Sequence, residues 1–586
     1  MAHAHNNLYG TNYSTMQATD KYIMFTPNSN EEAKLLLASD IHLYDYDLQY
    51  EMIEMGDYYQ EPIENGFPTF YAVIPVGDEV PSVQHTVISD LYLDESNPLL
   101  LAEAYRLTGN ISDISNLTGY SLEEIGDINI EYVMGNNDEI DCNPPCVLEY
   151  RMVIVTENGN NQVVIEAYCD CSGASEVGCS PTGSVRKPYG NVRVFDTQLS
   201  NASNTDTYKG VGGVKVRIKG NWFKSFSVQT LNNGCFKFEK EFWGRIWIFI
   251  EYEGDRCSIR GKINGWNNLF SYFYPVEKYV GFATHQNYSN MITNIHSWQT
   301  EGSHTHMMWG GATINNAINE YYNYAIQEGI NPPPSNLDIY AWASGEQTGF
   351  SIMASQLGAA NTAFAITQGG ASSASYIAAP FNLVALVALH NVIPDLMISI
   401  DFDKSDRLKH LVNHEISHAS HYTVVDNSYW MAVIAAQINA FEQDGHPHGN
   451  PSSWEAGRIA LCESWAEHIG MSFTHKSYPL SGNTSIGNIT YLRQLEETWN
   501  EFDNHIPIGV YLDLIDNGVE PLSINEHNSG STTVIDNVSG FSNQQMYNCL
   551  NVNITNINDF KQLLINDYLN STSNTSSEVN DLFNSY

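Results

Sequence analysis

Hydrophobic positions along this chain change period several times, and each change predicts an element. Residues 31–39 (EEAKLLLAS), 99–106 and 121–125 carry apolar residues at helical spacing. Residues 150–156 and 162–168 are β-rich runs on either side of Asn158-Gly159, which predicts a hairpin with an Asn-Gly turn. β-Branched and aromatic runs follow at 192–195, 214–218, 225–230, 235–239 and 246–252, with Gly212-Gly213 and Asn232-Asn233-Gly234 as turns. From about residue 273 the period becomes mainly helical, with helices expected at 309–325, 381–391, 404–425, 429–442, 460–473, 491–502, 545–550 and 558–569. Strands are expected at 336–342 and 395–400. Residues 371–379 are small and polar, residues 444–451 form a turn-rich loop, and the tail from Ser571 is weakly patterned.

At 586 residues the chain exceeds one ordinary core, and the pattern predicts a multidomain α+β protein. We divide it into an N-terminal α or α+β region (1–136), a cysteine-rich hairpin segment (137–180), a β-sandwich module (181–265) and a mainly helical domain with a small sheet (266–586). The net charge of −41 argues against nucleic acid and anionic membranes as partners. It is unevenly spread, since residues 181–262 hold fourteen Lys/Arg against seven Asp/Glu, which sets that window apart. No apolar run reaches the length of about eighteen residues needed to span a bilayer. Met1-Ala2-His3-Ala4-His5 lacks a signal peptide's basic start and apolar centre and reads as the start of a mature chain. Five cysteines crowd between Cys142 and Cys179 at spacings unlike zinc ribbons, so disulfides in an oxidising compartment are expected, with Cys235–Cys257 and Cys462–Cys549 as further candidate pairs. The Asn- and Tyr-rich, Lys-poor composition points to a secreted or cell-surface protein of bacterial origin.

The candidate chemistry begins at His414-Glu415-Ile416-Ser417-His418, within a helix opened by Asp401, Asp403 or Ser405. Histidines four apart on a helix project from one face, so their ring nitrogens can converge on one ion. Glu415 points about 100° further round, where it can reach a water held by that ion. Three fixed positions in five residues also arise by chance. A second stretch, Cys462-Glu463-Ser464-Trp465-Ala466-Glu467-His468, adds two carboxylates four apart on another apolar helix.

With both stretches in place the chain resembles the gluzincin metallopeptidases, which pair HExxH on one helix with a glutamate ligand on a later one. The resemblance implies that His414, His418 and Glu463 hold Zn2+ and that Glu415 is the general base. It also implies that Glu467, in place of the more usual aspartate, orients a ligand histidine from behind. Such a zinc keeps an open position for water, and its histidines usually give their second N–H to a carboxylate. Asp426 and His421 are rival third ligands, while Glu455 and His468 read as structural or as supports behind a ligand, and the loop residues His446 and His448 as solvated, with binding of a stray metal the alternative. The family takes a Tyr or His from its C-terminal lobe to stabilise the oxyanion, for which His505 and Tyr511 are the candidates. Its cleft strand would be 395–400 or 336–342, holding an extended substrate by β-addition.

The order GVKVRI, T, NGCFKF, WIFIEY resembles the transthyretin-like, carboxypeptidase-regulatory β-sandwich, which accompanies extracellular peptidases. Trp222, Phe223, Phe226, Trp243 and Trp247 offer either sandwich core or a sugar-binding face. The expectation is therefore a secreted zinc metallopeptidase acting on peptide or protein substrates, glycoproteins included. The alternative is an adhesion or glycan-binding protein whose metal is structural. Exposed acids could hold Ca2+, but no loop has the EF-hand spacing.

Overall fold

The computed structural model describes residues 17–29, 69–92, 147–157, 160–170, 187–203, 205–220, 224–242, 246–262, 277–283, 288, 291–297, 303–343, 347–369, 394–478, 505–515 and 537–586, with scattered positions in 5–48 and at 104. The chain is a mixed α+β protein with several sheets. Its contacts define two compact units, one of residues 1–195, 205–251 and 277–296, the other of residues 196–204, 252–276 and 297–586.

The first unit opens with an antiparallel sheet in the order β2-β1-β3, formed by β1 (Asp20–Phe25), β2 (Phe70–Pro75) and β3 (His85–Leu91). The hydrophobic pattern predicts none of these strands: DKYIMF and FYAVIP are short and bury residues on both faces, which erases the usual alternation, and HTVISDL is exposed along nearly its whole length. The helices expected at 99–106 and 121–125 lie outside the described residues apart from Ala104, and so do those expected at 381–391 and 491–502. β4 (Val147–Glu157) and β5 (Asn160–Asp170) form the expected hairpin, in register from Val147 opposite Asp170 to Glu157 opposite Asn160. The Asn158-Gly159 turn itself lies outside the described residues.

The basic window folds into strands close to those its pattern predicts, β6 (Tyr189–Phe195), β7 (Tyr208–Gly210), β8 (Lys215–Gly220), β9 (Lys224–Gln229), β10 (Cys235–Lys237) and β11 (Ile246–Glu251). The next strand, β12 (Cys257–Lys262), belongs to the second unit, whereas β13 (Glu277–Ala283) and β14 (Met291–Ile295) belong to the first. β13 and β14 complete two four-stranded sheets, β13-β11-β8-β9 and β10-β6-β14 with β7 on β6. The line between the units therefore runs through residues 181–265 rather than around them. Cys257 is a free buried thiol, as are Cys462 and Cys549, so neither the Cys235–Cys257 nor the Cys462–Cys549 bridge is made. Of the five aromatic residues considered for sugar binding, Trp222, Phe223 and Trp243 lie outside the described residues. Phe226 is half-buried, edge-on to Phe242 and covered by the Lys240 ammonium, and Trp247 is half-buried with Lys219 over its ring.

The second unit is mainly helical around one sheet. After α1 (Thr197–Ser203), the long helix α2 (His304–Glu328) is capped by Ser303, which accepts from the His306 amide, and stops at Gly329. It buries Trp309, Ala312, Ala317, Tyr321 and Ala325 completely. β15 (Leu337–Trp342), β16 (Gly349–Ser351) and β17 (Leu396–Ser399) join β12 in the order β12-β15-β17-β16. The first three are parallel and β16 runs antiparallel at the edge. Both strands proposed for substrate pairing, 336–342 and 395–400, are thus interior, with their backbone groups already spent on neighbours. Among the described residues the edges are β12 and the three-residue β16, and of these it is β16 that adjoins the helix Ser405–Tyr422.

Between β16 and β17 lie α3 (Ala354–Leu357) and α4 (Ala359–Gly369), and after β17 come α5 (Ser405–Tyr422), α6 (Asn427–Asp444) and α7 (Ala456–Ser477). α5 buries Leu408, Val412, Ile416 and Ala419 at helical spacing, and α7 buries Leu461, Cys462, Trp465, Ile469 and Phe473. None of the three expected caps opens α5. Its cap is Lys404, without a side-chain bond, because Ser405 is one residue inside the helix and its hydroxyl is engaged with Thr197. α5 and α7 approach closely at Gly470, where a Cβ would stand 3.2 Å from the Cβ of His414. Asn413 donates to Thr474 and Ser417 to the Ala466 carbonyl across the same contact. Short helices α8 (Val510–Asp513) and α9 (Asn543–Asn548) and the pair α10 (Ile557–Tyr568) and α11 (Ser576–Ser585) close the unit.

Candidate metal centre

α5 and α7 bring three side chains to one point. The Nε2 atoms of His414 and His418 lie 3.2 and 3.4 Å from Oε2 of Glu463. The donor atoms of these three residues all fall within 4.8 Å of one another. Zinc bonds of about 2.0–2.1 Å place tetrahedral ligands about 3.4 Å apart, so two imidazoles and a carboxylate at these separations fit such an ion in spacing and chemistry. The other Glu463 oxygen accepts from Gln437 Nε2 of α6 at 2.7 Å, which fixes the carboxylate's rotation.

Behind His414, its Nδ1–H donates to Glu467 Oε2 at 2.8 Å. The same carboxylate is 3.3 Å from His410 Nε2. With the ring neutral, this contact places the proton on Nδ1 and leaves Nε2 of His414 turned toward Glu463. Burial alone would raise Glu463, but the charges of His418 and His448 and the His414 hydrogen bond hold it well below the usual carboxylate range. Burial disfavours charge on His414 too, yet its bonds to Glu463 and Glu467 push its pKa well above an ordinary histidine's. Opposed, mutually dependent charges of this kind are what a cation would take over.

Glu415 is 5 % exposed and is not one of the three donors. Burial raises its pKa, partly offset by His414 and His418. Its carboxylate is held by β16, with Ser351 Oγ 2.7 Å from Oε2. Gly349 on that strand has no room for a side chain, since a Cβ there would meet Glu415 Oε1 at 2.5 Å. The edge strand and Glu415 are therefore in direct contact.

The other candidates are placed elsewhere. Asp426 caps α6, accepting from the Tyr429 amide at 2.8 Å, which commits its carboxylate to the helix end. His421 is fully buried against the rings of Tyr429 and Trp430, and burial with the nearby His418 pulls its pKa down to about 3. Glu455 holds Arg458 at 3.0 Å, and His468 bonds Asn543 at 2.9 Å. Tyr511 is fully buried between Trp465 and Phe560, with its hydroxyl 3.2 Å from Ser464 Oγ, so it is core rather than cleft. His505 is half-buried in the turn that leads to α8.

Two further residues stand near the group. The Nε2 of His448, read as solvated, is 3.5 Å from Glu463 Oε2, although His448 falls outside the three-donor set. Its loop is stapled by Asp444, which accepts from Asn450 at 2.6 Å and from Ser453 at 2.7 Å. No periodicity marks a histidine in a Gly/Pro-rich loop. Gln437 did leave a trace, as one of two amides, with Asn439, in the apolar run VIAAQINA.

No protein-family model, curated protein or solved structure matches the chain. Among the described residues no helix is long and apolar enough to cross a membrane.

Proposed function

We propose that this chain is a zinc-dependent peptidase that acts outside the cell on peptide or protein substrates. The observation that carries the reading is the convergence of His414, His418 and Glu463 with a fourth, buried group, Glu415, beside them and outside the donor set. A purely structural metal would need no such neighbour. When bound, the ion would lower the pKa of a water and polarise the scissile carbonyl.

The chain's own groups do the rest. Glu415 accepts the proton of the attacking water and returns it to the leaving amine. Its raised pKa makes the carboxylate a stronger base toward that water. Ser351 holds the carboxylate in place, and Glu467 keeps His414 oriented. β16, terminal in the sheet among the described residues, would be the strand beside which an extended substrate lies. His448 contributes a further imidazole, 3.5 Å from Glu463.

Metal content and peptide cleavage of the purified chain test the reading beside two variants. Glu415→Gln is expected to retain one zinc per chain while cleavage falls by about 10²- to 10⁴-fold. Glu463→Ala is expected to lose the metal. Undiminished cleavage by zinc-loaded Glu415→Gln would remove Glu415 from its role, and full zinc in Glu463→Ala would break the ligand set.

A further inference from the structure

The face of α5 that carries His414 and His418 begins one turn earlier, at His410, so three histidines follow one another at intervals of four residues. Glu463 and Glu467 stand at the same interval on α7. The two rows interleave. Nε2 of His410 lies 3.3 Å from Oε1 of Glu467, whose Oε2 accepts from His414 Nδ1 at 2.8 Å, and Nε2 of His414 lies in turn 3.2 Å from Oε2 of Glu463. His410 is therefore the outermost member of a run that ends at the metal donors, and it is not itself one of them.

We propose that His410 is a positioning residue for the metal centre, anchoring the far oxygen of Glu467 so that the near one stays on His414. The proposal rests on the metal-binding half of the reading above. The carboxylate needs such an anchor for two reasons. A glutamate has one rotatable bond more than an aspartate, and holding each rotor in a single geometry costs free energy. Glu467 is also only half-buried, its side chain 20 % exposed, so a carboxylate that rotated could reach solvent and release the His414 ring. With one oxygen on each imidazole, that rotation is blocked. The charge of Glu467 depends on the same pair. Burial alone would raise its pKa, but His410, ahead of His414, holds it well below the usual carboxylate range.

Packing leaves the His410 ring little choice of place. A Cβ at Gly470 would stand 3.3 Å from Cδ2 of His410 and 3.2 Å from Cβ of His414, so the bare backbone of α7 lies against both residues. The ring is half-buried, yet its Nε2 is shielded from solvent. The imidazole thus meets Glu467 away from competing water, where a polar contact is stronger.

The test is a double-mutant cycle on the full chain, read as zinc affinity by competition with a chelator, so that it needs no substrate. His410→Ala and His410→Asn both leave a side chain too short to meet Glu467. Each is expected to weaken zinc binding by about 3- to 30-fold, less than the roughly 10- to 100-fold expected of removing the carboxylate itself in Glu467→Ala. His410→Gln, which returns an N–H at nearly the same reach, should recover most of the loss. Added to Glu467→Ala, His410→Ala should change the affinity by less than about twofold, because the group through which it acts has gone. Melting of the metal-free chain checks that each variant is folded, and the Asn variant serves if the Ala variant is not. Equal losses with and without Glu467, or no loss in the wild-type background, overturn the role of His410 and leave the metal centre. A coupled loss in a chain that cleaves no peptide supports His410 and overturns the peptidase. A wild-type chain that takes up no zinc overturns both.

Discussion

The hydroxyl of Ser351 lies 2.7 Å from Oε2 of Glu415 and 2.8 Å from the main-chain oxygen of the same residue. A residue of the sheet's edge strand thus clasps the helix that carries the base at both its backbone and its side chain. Because β16 is three residues long, this clasp and the pairing with β17 account for its position.

Ser351→Ala should therefore reach the chemistry without touching the metal. Hydrogen bonds to charged groups contribute about 1.5–3 kcal/mol, so turnover is expected to fall by about ten- to a hundredfold at constant zinc content. The Ser351 bond lowers the pKa of Glu415, so its loss should raise that pKa and move the acid limb of the pH–rate profile to higher pH. An unmoved profile would show that the contact does not tune the base.

Glu467→Gln tests the orienting contact on His414. With the carboxylate replaced, zinc affinity measured by competition with a chelator should weaken by about 10- to 100-fold, while the fold is kept. Unchanged affinity would reduce Glu467 to a partner of His410.

Stability should fall in mild acid because of a histidine one residue further along α7. Burial holds His468 down to about 4 from its ordinary 6.5, with Asn543 partly opposing the shift. The unfolded chain therefore binds a proton that the folded one refuses. The contribution is fully present above about pH 6.5 and is lost as the pH falls toward 4, amounting to about 3 kcal/mol across that window. Denaturant melts of wild type and His468→Gln at pH 7.5 and 5 check it, and the variant should lose less stability between the two. Equal losses would assign the acid sensitivity to other groups.

Much of this architecture was legible because helical periodicity is strong where a helix buries one face. Leu408, Val412, Ile416 and Ala419 announce α5, and the run through Trp465 and Phe473 announces α7. What stayed hidden depended on contacts distant in sequence. Ser405 has the chemistry of a cap, but Thr197, 208 residues away, claims its hydroxyl. Gly349-Phe350-Ser351 is too short to show alternation, so the edge strand was assigned to neighbours whose longer runs proved interior. Tyr511 has a suitable hydroxyl, and only the burial around it shows that it serves the core. His448 carries no signal until its loop is folded.

At residue 470 the missing side chain acts as a spacer. The two helices bear their donors on facing surfaces, and the width of the gap between those surfaces decides whether a carboxylate and two imidazoles share one focus. Grafting His414, Glu415, His418 and Glu463 onto another helical pair would copy the chemistry without the distance. A transplant that works must carry the notch as well.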